Sequence, residues 1–221
     1  MSTGTPSLDY VRDPDEIYRR SFTTIEAEAD LSVYSPAMRA VALRLVHACG
    51  MVDLLDDLVF SDGAAEAGRA ALMAGKPVFC DVEMVRTGIM PSRLPAGNEL
   101  VCTLNDPRAA ELGRANHDTR SAASVGLWDE RLEGAIVAIG NAPTALFRLL
   151  ERLDPNARNP VPKPALIVGM PVGFVGAAES KAELARDPRG CPFIAIAGRR
   201  GGSALASAAI NGLCPSQGDR S

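Results

Sequence analysis

His47 and His117 are the only imidazoles in the 221 residues, so they confine general acid–base catalysis near neutral pH to two places. His47 follows Leu43 by one helical turn and Ala40 by two, and the other side of that segment carries Met38, Val41, Leu45 and Cys49. A helix apolar nearly all round is buried or covered by a partner subunit. One reading of His47 is therefore a buried histidine with satisfied hydrogen bonds, its pKa held by desolvation below the usual value of about 6.5. The other is an acid in a site. His117, in the polar run Asn116-His117-Asp118, reads as a surface residue.

A second cluster suits anions. Arg199, Arg200, Gly201, Gly202 and Ser203 place two guanidinium groups before backbone N–H groups that open a predicted helix, a combination that binds carboxylates. The competing reading is a solvated turn. Arg120-Ser121, at another predicted helix start, and Arg20-Ser21 are further candidates. The third feature is Gly134 to Phe147, GAIVAIGNAPTALF, where an apolar strand breaks at Gly140 and Asn141 and Pro143 opens a helix. Gly140 permits close approach, and Asn141 sets an amide at the carboxyl end of the sheet, where open α/β sheets bind ligands.

These residues need a scaffold. Asp13-Pro14 predicts a helix over 15–29, Ser35-Pro36 a second one that carries His47, and an Ala-rich run a third over 62–74. Strand-like runs follow at 77–81, 99–104, 135–139, 165–170 and 193–197, separated by helical segments near 107–114, 121–130, 143–153 and 178–185, with a last helix over 203–212. The alternation predicts an α/β fold: a three-layer, Rossmann-like, doubly wound parallel sheet with helices on both faces and an N-terminal helical extension. A single domain over 1–221 is expected, flexible at 1–10 and 214–221, with Pro155 to Pro164 as a stiff connection.

Bulk properties remove several function classes. The net charge of −4 argues against a nucleic-acid binder, which needs a basic face. Basic residues are nearly all arginine, with lysine only at Lys76, Lys163 and Lys181, a bias that fits genome composition as well as carboxylate recognition. Neither GxGxxG nor GxxxxGK[ST] occurs, so a nucleotide cofactor has no support. No metal site is expected: His47 and Cys49 point to different faces of a helix, and Asp53, Asp56 and Asp57 read as a solvated face. Five cysteines without a CxxC pair read as reduced thiols, mostly buried. The start of the chain lacks a signal region and no apolar run reaches about 18 residues, which predicts a cytoplasmic protein with no membrane partner.

The blocks RSF (Arg20–Phe22), LVHACG (Leu45–Gly50), TRSAAS (Thr119–Ser124), IGNAPTALF (Ile139–Phe147), GMPVGFVG (Gly169–Gly176) and GRRGGS (Gly198–Ser203), in this order, resemble the precorrin-8X methylmutase family over nearly the whole chain. The resemblance implies an isomerase that moves a methyl group within precorrin-8X from ring carbon eleven to carbon twelve, giving hydrogenobyrinic acid without methyl donor or cofactor. It implies His47 as the acid that protonates the ring C nitrogen. It also implies carboxylate contacts at Arg20, Ser21, Arg120, Ser121, Arg199, Arg200, Gly201, Gly202 and Ser203, with Asn141 beside them. Gly173 and Phe174 would meet the flat ring, and Val172 and Val175 would help to face it. A homodimer with shared active sites is implied too. Met90 departs from the pattern: the family often carries threonine there, so a hydroxyl that would touch the substrate is missing. Two alternatives remain at this level, a methylmutase acting on the cobalt-containing substrate and a carrier that binds a corrinoid without converting it.

Overall fold

A computed structural model describes residues 8–215, apart from the side chain of Glu130. The expected flexible ends lie largely outside that range, but Cys214, placed in the tail by the sequence, is buried.

The N-terminal extension is helical, as expected. Helix α1 (Pro14–Glu28) starts with the Asp13 carboxylate accepting from Asp15 N, and α2 (Pro36–Cys49) starts with Ser35 accepting from Met38 N. Both carry proline in the first turn, where its missing N–H costs nothing. Gly50, in the left-handed conformation, closes α2.

Six strands then form one sheet: β1 (Leu58–Phe60), β2 (Val78–Cys80), β3 (Leu100–Val101), β4 (Ile136–Ile139), β5 (Leu166–Gly169) and β6 (Phe193–Ile196). Their order is β1-β6-β5-β4-β2-β3. All neighbours run parallel except β1, which lies antiparallel on β6 with Leu58 opposite Ile196. The sequence does not mark this edge strand, because it follows without a break on a 3-10 turn at Val52–Asp57 whose carboxylates read as a solvated helix face. The connecting helices are α3 (Ala64–Met73), α4 (Glu83–Gly88), α5 (Pro107–Ala115), α6 (Arg120–Val125), α7 (Pro143–Leu153) and α8 (Ala177–Arg186), and α9 (Ser203–Leu213) follows the last strand.

The strands alternate between two cores. Ile136 and Ala138 on β4 face a layer that contains α2, α3 and α9, whereas Val137 and Ile139 face one built from α7 and α8. This is the three-layer arrangement of a buried parallel sheet. Cys80, Cys191 and Cys214 are buried within these layers, and burial raises the Cys191 thiol to about 11.

Helix α9 is buried along nearly its whole length and lies across α2. A Cβ on Gly212 would stand 2.8 Å from Val41 Cα, so the two backbones meet at a distance only glycine allows. The pair α2 and α9 makes the floor on which the candidate site is built.

Candidate active site

The sequence reading placed His47 on a helix apolar all round. The structure corrects this: Val41, Ala42, Leu45 and Val46 are buried, but His47 and Ala48 lie exposed on the opposite side of α2. His47 looks into a cleft of about 660 Å³ between α1, α2, α4 and α9. Its walls include Tyr18, Arg44, Thr87, Met90 and Ser203.

The imidazole is held on three sides. Its Nδ1 shares a 2.8 Å hydrogen bond with the Ser21 hydroxyl on α1. Phe22 stacks on it with ring centroids 5.0 Å apart, and Tyr18 lies at 5.7 Å. Nε2 has no partner among the described residues and is the ring atom available to a ligand. Partial desolvation of the ring, and then the charge of Arg44 one turn earlier, hold the His47 pKa below its ordinary value. Arg44 is itself placed by aromatic faces, its guanidinium 5.2 Å from the Tyr18 centroid and 5.3 Å from that of Phe22.

A second cleft of about 380 Å³ continues past Ala48 and Ala204, which line both. Its lining is mostly apolar, from Met51, Leu54, Val172 and Phe174, with Arg199, Arg200 and Gly201 at its margin. Phe174 and Val175 are 85% and 87% exposed, so the GMPVGFVG loop offers bare apolar surface as well as its turn. The Arg199 guanidinium sits 5.3 Å from the Phe174 centroid and is ion-paired to no carboxylate among the described residues.

Arg200 behaves differently from its neighbour. Its Nε and Nη2 bond Asp57 Oδ2 at 2.9 and 2.5 Å, and its Nη1 bonds Asp53 Oδ2 at 2.8 Å. The expected pair of free guanidinium groups is thus one free group and one bound to the 3-10 turn. Asp53 and Asp57, read from sequence as a solvated face, are its partners.

The glycine–asparagine junction after β4 also departs from expectation. The Asp81 carboxylate, fully buried at the end of β2, accepts from Gly140 N at 2.9 Å, Asn141 N at 2.9 Å and Ala142 N at 2.8 Å. These three amides precede the first turn of α7, which has no side-chain cap, so Asp81 pins the strand-to-helix turn from a neighbouring strand. Strands β2 and β4 flank the point where the winding of the sheet reverses, the usual ligand crevice of such folds. Here Asp81 fills it. Burial raises the Asp81 pKa against the three amides that lower it. Gly140 serves the close approach of α9, since a Cβ there would lie 2.9 Å from Ser203 Cα.

The structure therefore brings His47 and Ser203 to one cleft, and Gly173, Phe174, Arg199, Arg200 and Gly201 to the other, while Ser21 lines neither but bonds His47, and Gly202 lines neither and joins Gly201 to Ser203 in the chain. Arg20, Arg120, Ser121 and Asn141 line neither cleft. Arg20 is exposed and pairs with Glu16, and Arg120 and Ser121 head α6, whose cap Thr119 bonds Thr144. Ser21 emerges as the partner of the histidine. His117 is an exposed turn residue with φ of 52°, as expected.

Several contributors escaped the sequence reading. Tyr18 and Arg44 lie on the histidine's own patch, at helical spacing from Phe22 and His47, a signal present in the sequence. Asn211 on α9 donates to Gly88 O at 3.0 Å and accepts from Met90 N at 2.9 Å, fixing the wall that carries Met90. Only tertiary structure pairs those positions. Among the described residues no group of three or more His, Cys, Asp or Glu side chains is arranged to hold a metal, and no helix is long and apolar enough to cross a membrane.

The family model described as precorrin-8X methylmutase matches residues 16–215. Precorrin-8X methylmutases from Pseudomonas aeruginosa and from Sinorhizobium sp are each 56% identical to the chain, over 93% and 94% of it and 97% of their own lengths. Cobalt-precorrin-8 methylmutase from Salmonella typhimurium is 37% identical over 93% of the chain and 97% of its own. A crystal structure of precorrin-8X methylmutase from Thermus thermophilus superposes with a TM-score of 0.79 and 39% identity, covering 90% of this chain and 94% of that one. By sequence, fold and the extent of both matches, the chain belongs to the precorrin-8X methylmutase family of isomerases of cobalamin biosynthesis.

Proposed function

We propose that the protein converts precorrin-8X to hydrogenobyrinic acid by a suprafacial 1,5-shift of the methyl group from ring carbon eleven to carbon twelve, with His47 as the acid. The observation that carries this reading is the geometry of His47: Nδ1 tied to Ser21, Nε2 open to a cleft whose margin is cationic. Such a shift is allowed by orbital symmetry, so no nucleophile is required. A proton passed from Nε2 to the ring C nitrogen draws electron density from the migration terminus, and it returns to the imidazole once the methyl group has moved. Substrate and product are isomers, and no methyl donor, oxidant or cofactor enters the balance. Acid catalysis of this kind contributes about 100- to 10,000-fold, and orientation of the macrocycle supplies much of the rest.

The two adjoining clefts suit a flat, polycarboxylated ring. The apolar surface of Met51, Val172 and Phe174 would meet its face, while Arg199, Arg44 and the start of α9 would meet its acetate and propionate groups. Gly173, Gly201, Gly202 and Ser203 contribute backbone or hydroxyl contacts in this reading. Arg20, Arg120, Ser121 and Asn141 line neither cleft, and the loop whose Phe174 lines the second one leaves Phe174 and Val175 exposed. Both features support a homodimer in which some carboxylate contacts come from the partner subunit. The 56% identity to two relatives named precorrin-8X methylmutase, against 37% to a cobalt-precorrin-8 methylmutase, favours the metal-free substrate.

The test is to mix the protein with precorrin-8X, without donor or metal, and follow the visible spectrum beside His47→Ala. Conversion by the wild type and its loss in the variant are expected. Full turnover by His47→Ala would remove the acid. Binding without conversion would favour a carrier, and conversion only of the cobalt substrate would favour the other methylmutase.

A further inference from the structure

Lys181, on α8, is a buried cation that the proposed chemistry does not use. Its side chain is 1% exposed, and its Nζ donates at 2.5 Å to the backbone carbonyl of Arg200. Three N–H donors thus meet one acceptor. An ammonium in such a place costs several kcal/mol in lost hydration unless something nearby compensates it. Asp57, on the 3-10 turn, supplies that attraction, and the same carboxylate binds the Arg200 guanidinium.

Arg200 is consequently gripped at both ends. Lys181 holds its carbonyl from the interior, and Asp57 and Asp53 hold its side chain from outside. The residue immediately before it is Arg199, the unpaired cation at the second cleft, and Gly201, Gly202 and Ser203 follow as the approach to α9. The same segment is pinned to the GMPVGFVG loop, because Gly202 N donates to Met170 O at 2.8 Å and Gly173 N to Arg199 O at 3.4 Å. Motion of the Arg200 peptide would therefore move Arg199, the start of α9 and the aromatic loop together.

We infer that Lys181 is a positioning residue, which sets Arg199 and the amino end of α9 against the carboxylates of the substrate by holding the Arg200 carbonyl from behind. This rests on the assignment of the second cleft to the substrate. Its consequence is specific: Lys181 serves binding of the carboxylate rim and not the proton transfer at His47, which lies on the first cleft.

Burial lowers the Lys181 pKa to about 8. The 3-10 turn presents Asp57, with Asp53 beyond it on Arg200. Helix α7 commits Arg148 to Asp118 and Glu151, and Arg152 to Asp129, while on α8 itself Glu179 is exposed and Glu183 pairs with Arg186 and Arg189. Strands β5 and β6 carry no ionisable side chain. As pH rises past about 8 the ammonium becomes neutral, its attraction to Asp57 ends, and the grip on the loop weakens.

The experiment compares wild type, Lys181→Met, Arg199→Gln and the double variant in steady-state conversion of precorrin-8X. Lys181→Met should raise KM about tenfold, the worth of one charged contact, and leave kcat within about twofold. Added to Arg199→Gln it should raise KM no further, because both changes remove the same contact. An unchanged KM, a fall in kcat instead, or two fully additive effects would overturn the inference. If Lys181→Met does not fold, product affinity of the wild type decides: it should weaken on passing from pH 7 to 9, and a flat affinity overturns the inference. Failure of the wild type to convert precorrin-8X would count against the function and is seen in the same assay before any variant is compared.

Discussion

Replacing Ser21 by alanine isolates what the geometry asks of His47. The hydroxyl is the sole hydrogen-bond partner of the imidazole among the described residues, at 2.8 Å from Nδ1. While the ring is neutral the serine can donate to Nδ1 or accept from it. Once His47 is a cation, Nδ1 carries a proton and the serine must accept. A hydrogen bond to a charged group is worth about 1.5–3 kcal/mol, which at about 1.4 kcal/mol per decade predicts a fall in kcat of roughly 10- to 150-fold. Stability should hardly change, because the bond is exposed and the stack on Phe22 remains; a loss within about 0.5 kcal/mol is expected. The assay is single-turnover conversion followed by the visible spectrum at saturating enzyme, with urea unfolding in parallel. Ser21→Thr, which keeps the hydroxyl, should retain most of the rate. A kcat for Ser21→Ala within about threefold of wild type would refute the idea that this hydroxyl prepares the acid.

Acidity gives a second expectation: only protonated His47 is active, so kcat/KM should fall tenfold per pH unit above an inflection lying below about 6.5. Arg44→Met, by removing a neighbouring positive charge, should move that inflection upward in a pH–rate profile, and a downward move would contradict the assignment. The same shift has a sign in stability. Between the lowered folded pKa and about 6.5 the unfolded chain binds more protons at His47, so unfolding free energy should rise with pH across that window in wild type but not in His47→Gln. Asp81→Asn turns an NH₂ group toward at least one of three amides, two of them buried, and should cost about 2–4 kcal/mol in urea unfolding; a loss below about 1 kcal/mol would show that the amides find other partners. Gly212→Ala presses a methyl group on the α2 backbone and should cost about 1–3 kcal/mol, with KM raised because the two helices flooring the clefts are pushed apart.

The parallel strands could be read from sequence because they are buried on both faces and so appear as unbroken apolar runs, VFC, IVAI, LIVG and FIAI. Capped helices were equally plain, since Asp13-Pro14 and Ser35-Pro36 satisfy local rules. Edge strand β1 was not, because it continues without a break from the 3-10 turn, whose Asp53, Asp56 and Asp57 read as the solvated face of a helix. In the site, His47 was found by its scarcity and by family resemblance, yet its exposure was misjudged. The methyl and methylene groups around it in sequence belong to the buried face, and nothing local says that α1 stops short of covering the other one. Asp81, Asn211 and Lys181 were invisible for a shared reason: each acts on backbone groups 59 or more, 121 or more, or 19 positions away, and a sequence carries no mark of which amide or carbonyl a distant side chain will meet.

The contact between α2 and α9 has a consequence for how the active protein comes into being. The imidazole is made early, on the second helix, while the surface that completes its cleft arrives with the last helix described. During synthesis the apolar side of α2, with Val41, Ala42 and Leu45, has to wait for α9 while the sheet between them in the chain is assembled. Long-range closure of this kind is slow to form, and until it occurs the nascent chain displays a sticky helix and half a binding surface. A ribosome-bound chain arrested before residue 203 should therefore neither bind a corrinoid nor hide that helix from a chaperone.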